Sequence, residues 1–178
     1  MLAAGVLGLA WSAGAQPAVP AELSALAQPR LAGSAHYTYW GFDVYDAALW
    51  VESGFRADEP ERGRFALELK YLRSFKGGDI ARRSITEMKR VGDFTEAQEQ
   101  AWLLAMQAAF PDVAVGDRLT GIHLPGQGAR FLANGRPSGD VSDPEFARLF
   151  FGIWLSDKSS EPQKRVALLG LNSASSKP

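Results

Sequence analysis

Between Ala35 and Val51 the chain reads AHYTYWGFDVYDAALWV, and this run limits the fold more than any other stretch. Aromatic and β-branched side chains suit a pleated, half-buried surface. Their alternation has the period of a strand, not of a helix. Trp40, Phe42, Val44, Ala48 and Trp50 fall on even positions, and Asp43 and Tyr45 on odd ones. The pattern predicts an even apolar face, with Asp46 as its exception, in one long strand or in two joined at Gly41. Such a strand needs partner strands and a second layer to cover its apolar face.

The rest of the chain supplies both. ADEPERGR, residues 57–64, reads as a loop, and Phe65, Leu67, Leu69 and Tyr71 alternate as a further strand. After Gly77-Gly78 the spacing becomes helical, with Ile80, Ser84, Met88 and Val91 on one face and Arg82, Arg83, Lys89 and Arg90 elsewhere. Asp79 is the expected cap, and Gly92 the stop. Thr95 and Gln98 have capping-box spacing ahead of Trp102, Leu103, Met106 and Phe110. Strands are expected over Arg118–Leu124, Ala129–Ala133 and Arg136–Val141, with Asn134-Gly135 as a hairpin turn. Ser142-Asp-Pro-Glu145 and Ser160-Glu-Pro-Gln163 predict two more helices. The first buries Phe146, Leu149, Phe150, Ile153 and Trp154, and the second runs through Leu169 to Gly170. The order of elements predicts an α+β domain, an antiparallel sheet covered on one face.

Residues 1–15, MLAAGVLGLAWSAGA, carry no charge and end in an A-x-A pattern before Gln16. They read as a signal peptide whose removal exports the chain to the periplasm or beyond. Residues 16–30, with Pro17, Pro20 and Pro29, read as an exposed lead-in holding a short helical turn near Ala21–Ala27. The domain is expected over 31–170, and 171–178 as a flexible tail. No later stretch is apolar for the roughly 18 residues of a membrane helix, so a soluble product without a transmembrane segment is expected.

Composition narrows the chemistry. The 178 residues hold 19 basic and 20 acidic side chains, a net charge of −1, and no long basic block, so nothing marks a nucleic-acid surface. The absence of cysteine excludes disulfides, thiol catalysis and cysteine-based zinc or haem attachment. With two histidines, His36 and His123, imidazole-rich sites are excluded as well. No cofactor motif is present, because Gly126-x-Gly128 lacks the strand-to-helix setting of a phosphate loop. Asp43 and Asp46, three apart on a strand, point to opposite faces and do not form a metal site. Arg82 and Arg83 read as a solvated helix face, or as the rim of a carboxylate pocket. The aromatic cluster reads as core, or as the wall of a cleft in which tyrosine hydroxyls are the polar handles.

Taken together, YWGFDVYDAALWV, FALELKYLRSFKGGDIARRSITEM, WLLAMQAAFPDVAVGDRLTG and FARLFFGIWLSDKSSEPQKRVALLG resemble the bacterial chalcone isomerase-like family over residues 30–170. The resemblance implies an open-faced β-sandwich, a curved antiparallel sheet with helices packed on one face. It also implies export, since many bacterial relatives look periplasmic or secreted. Plant chalcone isomerases in this family use a strand arginine, a threonine and tyrosine that hold a water, and ring-contacting polar residues. Other relatives bind fatty acids or have no known catalysis.

Laid over the isomerase pattern, the arginine place falls near Gly33, and no arginine occurs between Gly33 and Phe55. Tyr45 takes the threonine place, Ile80 the tyrosine place, Glu87 the asparagine place and Ile153 the ring-contact place. Without a cation or preorganised donors, enolate charge goes unsupported. The resemblance therefore implies a non-catalytic protein that binds a small apolar or amphipathic ligand, a fatty acid or an aromatic compound, without cofactor. Expected wall residues are Tyr37, Tyr39, Trp40, Tyr45, Ile80 and Ile153, with Arg82 or Arg83 for a carboxylate. The alternative is an isomerase, an intramolecular lyase on an enolisable substrate, that uses His36, Tyr37 or Tyr45 as donors and Glu87 as acid or base. A third is a protein-interaction module working through the aromatic helix around Phe150 or an exposed sheet face.

Overall fold

The computed structural model describes residues 19–171. Six strands form one antiparallel sheet in sequence order: β1 (Arg30–Tyr39), β2 (Phe42–Val51), β3 (Phe65–Tyr71), β4 (Arg118–Leu124), β5 (Gly128–Ala133) and β6 (Arg136–Val141). Helices α1 (Gly77–Val91) and α2 (Glu96–Ala109) separate β3 from β4 in sequence, yet the two strands pair directly. Helices α3 (Pro144–Leu155) and α4 (Pro162–Leu168) complete the chain. All four helices share one core with the sheet, α2 lying against β6, α3 against β4 and β5, and α4 against β1. This is the expected α+β open-faced sandwich. Among the described residues no helix is long and apolar enough to cross a membrane.

The aromatic run is a hairpin rather than one strand. Trp40 and Gly41 both hold left-handed backbone angles, φ 52° and 76°, as a two-residue turn between twisted strands requires. The faces of β2 are the reverse of the expectation. Odd residues Tyr45, Ala47, Leu49 and Val51 meet the helices, while Trp50 and Ala48 turn to the back of the sheet. Asp46 therefore lies on an exposed outer face and is no exception to a buried one.

A bulge causes a second departure. Tyr37 pairs with Tyr45, but Thr38 pairs with Asp43, which leaves Val44 as an extra residue. One inserted residue switches the side-chain parity, so Asp43 and Asp46 share a face instead of opposing one another. Nor is the lead-in wholly exposed. Leu23 of a 3-10 turn at Ala21–Ala25, and Leu26 just after it, are buried on the back of the sheet against Trp50, Ala66, Ile122 and Leu132. The signal-peptide reading of residues 1–15 and the tail beyond Leu171 lie outside the described residues.

Helix starts follow local chemistry where a side chain can reach. Thr95 and Gln98 form the expected reciprocal cap of α2. Helix α1 begins earlier than Asp79 and is capped from a distant loop. Asp112 accepts the Gly77 N–H at 3.0 Å and binds Lys76 at 2.7 Å, while Asp79 is engaged by Arg82. The cap of α3 is Asp143, not Ser142; it accepts from the N–H groups of Glu145 and Phe146 and from Trp102 Nε1. The box expected at Ser160 does not form, because Glu161 stands at the cap position without a side-chain bond. Gly170 does end α4, at φ 69°.

Candidate functional site

Between the β1–β3 end of the sheet and helices α1 and α3 the layers do not close, and a cavity of about 390 Å³ remains. Its floor is apolar: Leu67 and Leu69 from β3, Phe131 from β5, and Phe150 and Phe151 from α3. Gly121 of β4 belongs to this floor. A Cβ there would stand 3.0 Å from the Phe151 ring, so a side chain at 121 would grow into space that the floor uses.

Polar groups gather at the other end. Tyr37, Tyr45 and Tyr71 form a contiguous aromatic wall, with ring centroids 4.9 Å and 5.8 Å apart. Trp154 Nε1 donates to the Tyr45 hydroxyl at 3.0 Å. The Tyr37 hydroxyl is buried and has no partner, a desolvated group that a bound molecule can satisfy. Burial pushes the pKa of all three phenols upward, and the Trp154 bond only partly opposes this at Tyr45. They are neutral hydrogen-bonding groups at any physiological pH.

Exposed lining residues mark the mouth: Thr38 and Tyr39 from β1, and Asp79 and Arg83 from α1. Arg83 is the one cation among the described lining residues. Its guanidinium lies 5.3 Å from the Tyr39 ring centre and 2.7 Å from Glu87 Oε1, an ion pair without hydrogen-bond alignment. Arg90 holds the other Glu87 oxygen at 3.4 Å. The cavity is thus graded from a charged, exposed rim to an apolar floor.

The structure brings Tyr37, Tyr39, Tyr45, Ile80, Arg83, Glu87 and Ile153 around this one space. It does not bring Trp40, which sits in the hairpin turn, or Arg82, which is exposed and paired with Asp79. His36 leaves the constellation as well. It points to the outer face, where its ring nitrogens meet Asp46 at 2.7 Å and Asp43 at 2.9 Å. The carboxylates of the lining, Asp79, Glu87 and Glu161, are each already engaged by a cation: Arg82, Arg83 with Arg90, and Lys164. Position 33 is closed to any side chain, since a Cβ there would lie 2.0 Å from the Ala167 carbonyl oxygen. The aromatic helix around Phe150 is buried rather than presented to a partner.

Sequence reasoning passed over Tyr71, Gly121 and Phe131 as site residues. Tyr71 shares a face with Leu67 and Leu69, a parity visible in the sequence. A glycine inside the apolar strand β4 was the available sign of close approach at Gly121.

The architecture and cavity define a chalcone isomerase-like open-faced sandwich. The chain belongs to the chalcone isomerase-like family, whose model matches residues 18–170. It is 35% identical over 138 residues to an uncharacterized protein of Haemophilus influenzae, covering 78% of this chain and 66% of that one. The chain thus spans just under two thirds of that relative's length. Among solved structures it resembles a fatty-acid binding protein of Arabidopsis thaliana, with a TM-score of 0.63 at 12% identity, covering 82% of this chain and 89% of the other. That likeness bears on the fold.

Proposed function

We propose that this protein binds, without transforming, an amphipathic molecule of fatty-acid type, with its tail on the Phe131–Phe151 floor and its carboxylate at Arg83. The observation that carries the reading is the polarity gradient: Arg83 with the paired carboxylates Asp79, Glu87 and Glu161 at the polar end, tyrosine hydroxyls beside them, and apolar side chains beyond. The volume of about 390 Å³ is within the range of small-molecule sites. The family's fold and the fatty-acid binding of its Arabidopsis neighbour support the same class of ligand. Closure of position 33 and the outward turn of His36 weigh against the isomerase. Export after loss of residues 1–15 completes the proposal and rests on the sequence; the N-terminal mass of the chain recovered from its native compartment tests it.

Titration with straight-chain carboxylates from hexanoate to stearate tests the binding. Each buried methylene contributes about 0.8 kcal/mol, so affinity rises about fourfold per carbon and then levels off when the cavity is full. Arg83→Gln weakens carboxylates but leaves the matching alcohols unchanged. Absence of saturable binding across the whole series refutes the proposal.

A further inference from the structure

The β1–β2 hairpin ends in three exposed aromatic side chains: Trp40 at 85% exposure, Phe42 at 60% and Tyr39 at 57%. Trp40 also occupies a left-handed turn position, φ 52°, that asparagine or glycine adopts with less strain. Neither core packing nor turn geometry explains a tryptophan here. Two guanidinium groups sit against the rings, Arg73 at 4.6 Å from the centre of Phe42 and Arg83 at 5.3 Å from that of Tyr39. Tyr39 and Arg83 belong at once to this tip and to the cavity mouth.

We infer that the hairpin tip is a bilayer-docking element that seats the cavity mouth on a lipid surface. The identity of the cargo rests on the ligand reading above, whereas the docking step does not. Three features favour lipid as the occupant. Tryptophan and tyrosine rings with adjacent cations are the composition that settles at the headgroup level of a membrane. The patch is three exposed aromatic side chains at the hairpin tip. At roughly 150–250 Å² per aromatic side chain it falls short of the ~800 Å² per partner of a stable protein interface, while insertion needs only the rings themselves. And an apolar cavity that opens beside the rings finds its insoluble ligand in that surface.

Charge around the tip is nearly balanced. Arg82 pairs with Asp79 and Arg83 with Glu87, while Asp43 and Asp46 flank His36 and offset Arg73. Docking is therefore driven by the rings and does not require anionic lipid.

The test is quenching of tryptophan fluorescence by brominated phosphatidylcholine vesicles, with and without phosphatidylglycerol. Wild type is read against Trp40→Asn, a substitution that suits the turn and leaves the core untouched. The wild-type minus variant spectrum isolates Trp40 from the remaining tryptophans. We expect quenching of that component in both vesicle types, and loss of vesicle partitioning by about tenfold in Trp40→Asn and in Phe42→Ser. Carboxylate affinity in free solution should stay unchanged in both variants. An unquenched Trp40 component, or variants that partition like wild type, overturns the inference even when carboxylate binding is intact. Quenched Trp40 without carboxylate binding would sustain docking and remove the cargo instead.

Discussion

The Tyr37 hydroxyl lets stability and binding be set against each other in one substitution. It is buried beside the cavity with no hydrogen-bond partner, and a desolvated, unpaired hydroxyl costs about 1–3 kcal/mol. Tyr37→Phe removes that group and keeps the ring that packs at 4.9 Å from Tyr45. Since the Tyr37 side chain lines a cavity of about 390 Å³ from which a small shift admits water, the lower end applies. The ligand-free variant should gain about 1 kcal/mol, or about 2–4 °C in Tm for a chain of this size. Binding should move the other way. Loss of one hydrogen bond to a carboxylate costs about 1.5 kcal/mol, close to tenfold in Kd. Thermal unfolding of the ligand-free protein and titration with a saturating carboxylate read the two effects. A variant that is less stable than wild type when empty, or binds equally well, would show that the hydroxyl is already partnered and would refute the reasoning.

Further outcomes follow from the scaffold. Asp143→Ala removes the cap of α3 and strands the Trp102 N–H, which it accepts at 2.8 Å; about 2–3 kcal/mol should be lost in urea unfolding. Gly33→Ala sets a methyl 2.0 Å from the Ala167 carbonyl oxygen, and overpacking of about 1–3 kcal/mol or displacement of α4 should appear as a lowered urea midpoint. The histidines give opposite pH slopes. Burial lowers the His123 pKa against its Gly63 carbonyl bond, so the unfolded chain takes up the proton first, and stability falls as pH drops through about 6.5. His36 is raised by its hydrogen bonds to Asp46 and then Asp43. Its contribution is full below about 6.5 and is lost as pH rises through the folded value. His123→Gln should flatten the acid limb, and His36→Gln the neutral one, in unfolding curves taken across pH.

Most of the scaffold was legible because it is written in local rules. The capping box at Thr95, the Asn134-Gly135 turn and the alternation of Phe65, Leu67, Leu69 and Tyr71 act through neighbours two to four residues away. The bounds of β3, β4 and β6 follow from them. The tyrosines of the aromatic run marked Tyr37 and Tyr45 as wall candidates, whereas Ile80 and Ile153 came from the family resemblance and not from any local rule.

What the sequence by itself determined is the class of structure: an antiparallel sheet of five or six strands, four helices to cover it, and a cysteine-free composition closed to thiol and disulfide chemistry. The tertiary structure decided which face, which cap and which opening. A single bulge at Val44 reversed the parity of Asp43 and drew it with Asp46 onto His36. Asp112 supplied from another segment the α1 cap that the spacing assigned to Asp79. The cavity exists because Gly121 in β4 and Phe151 in α3 meet without filling the space before Tyr37. No local rule encodes that gap, which arises only where two layers pack.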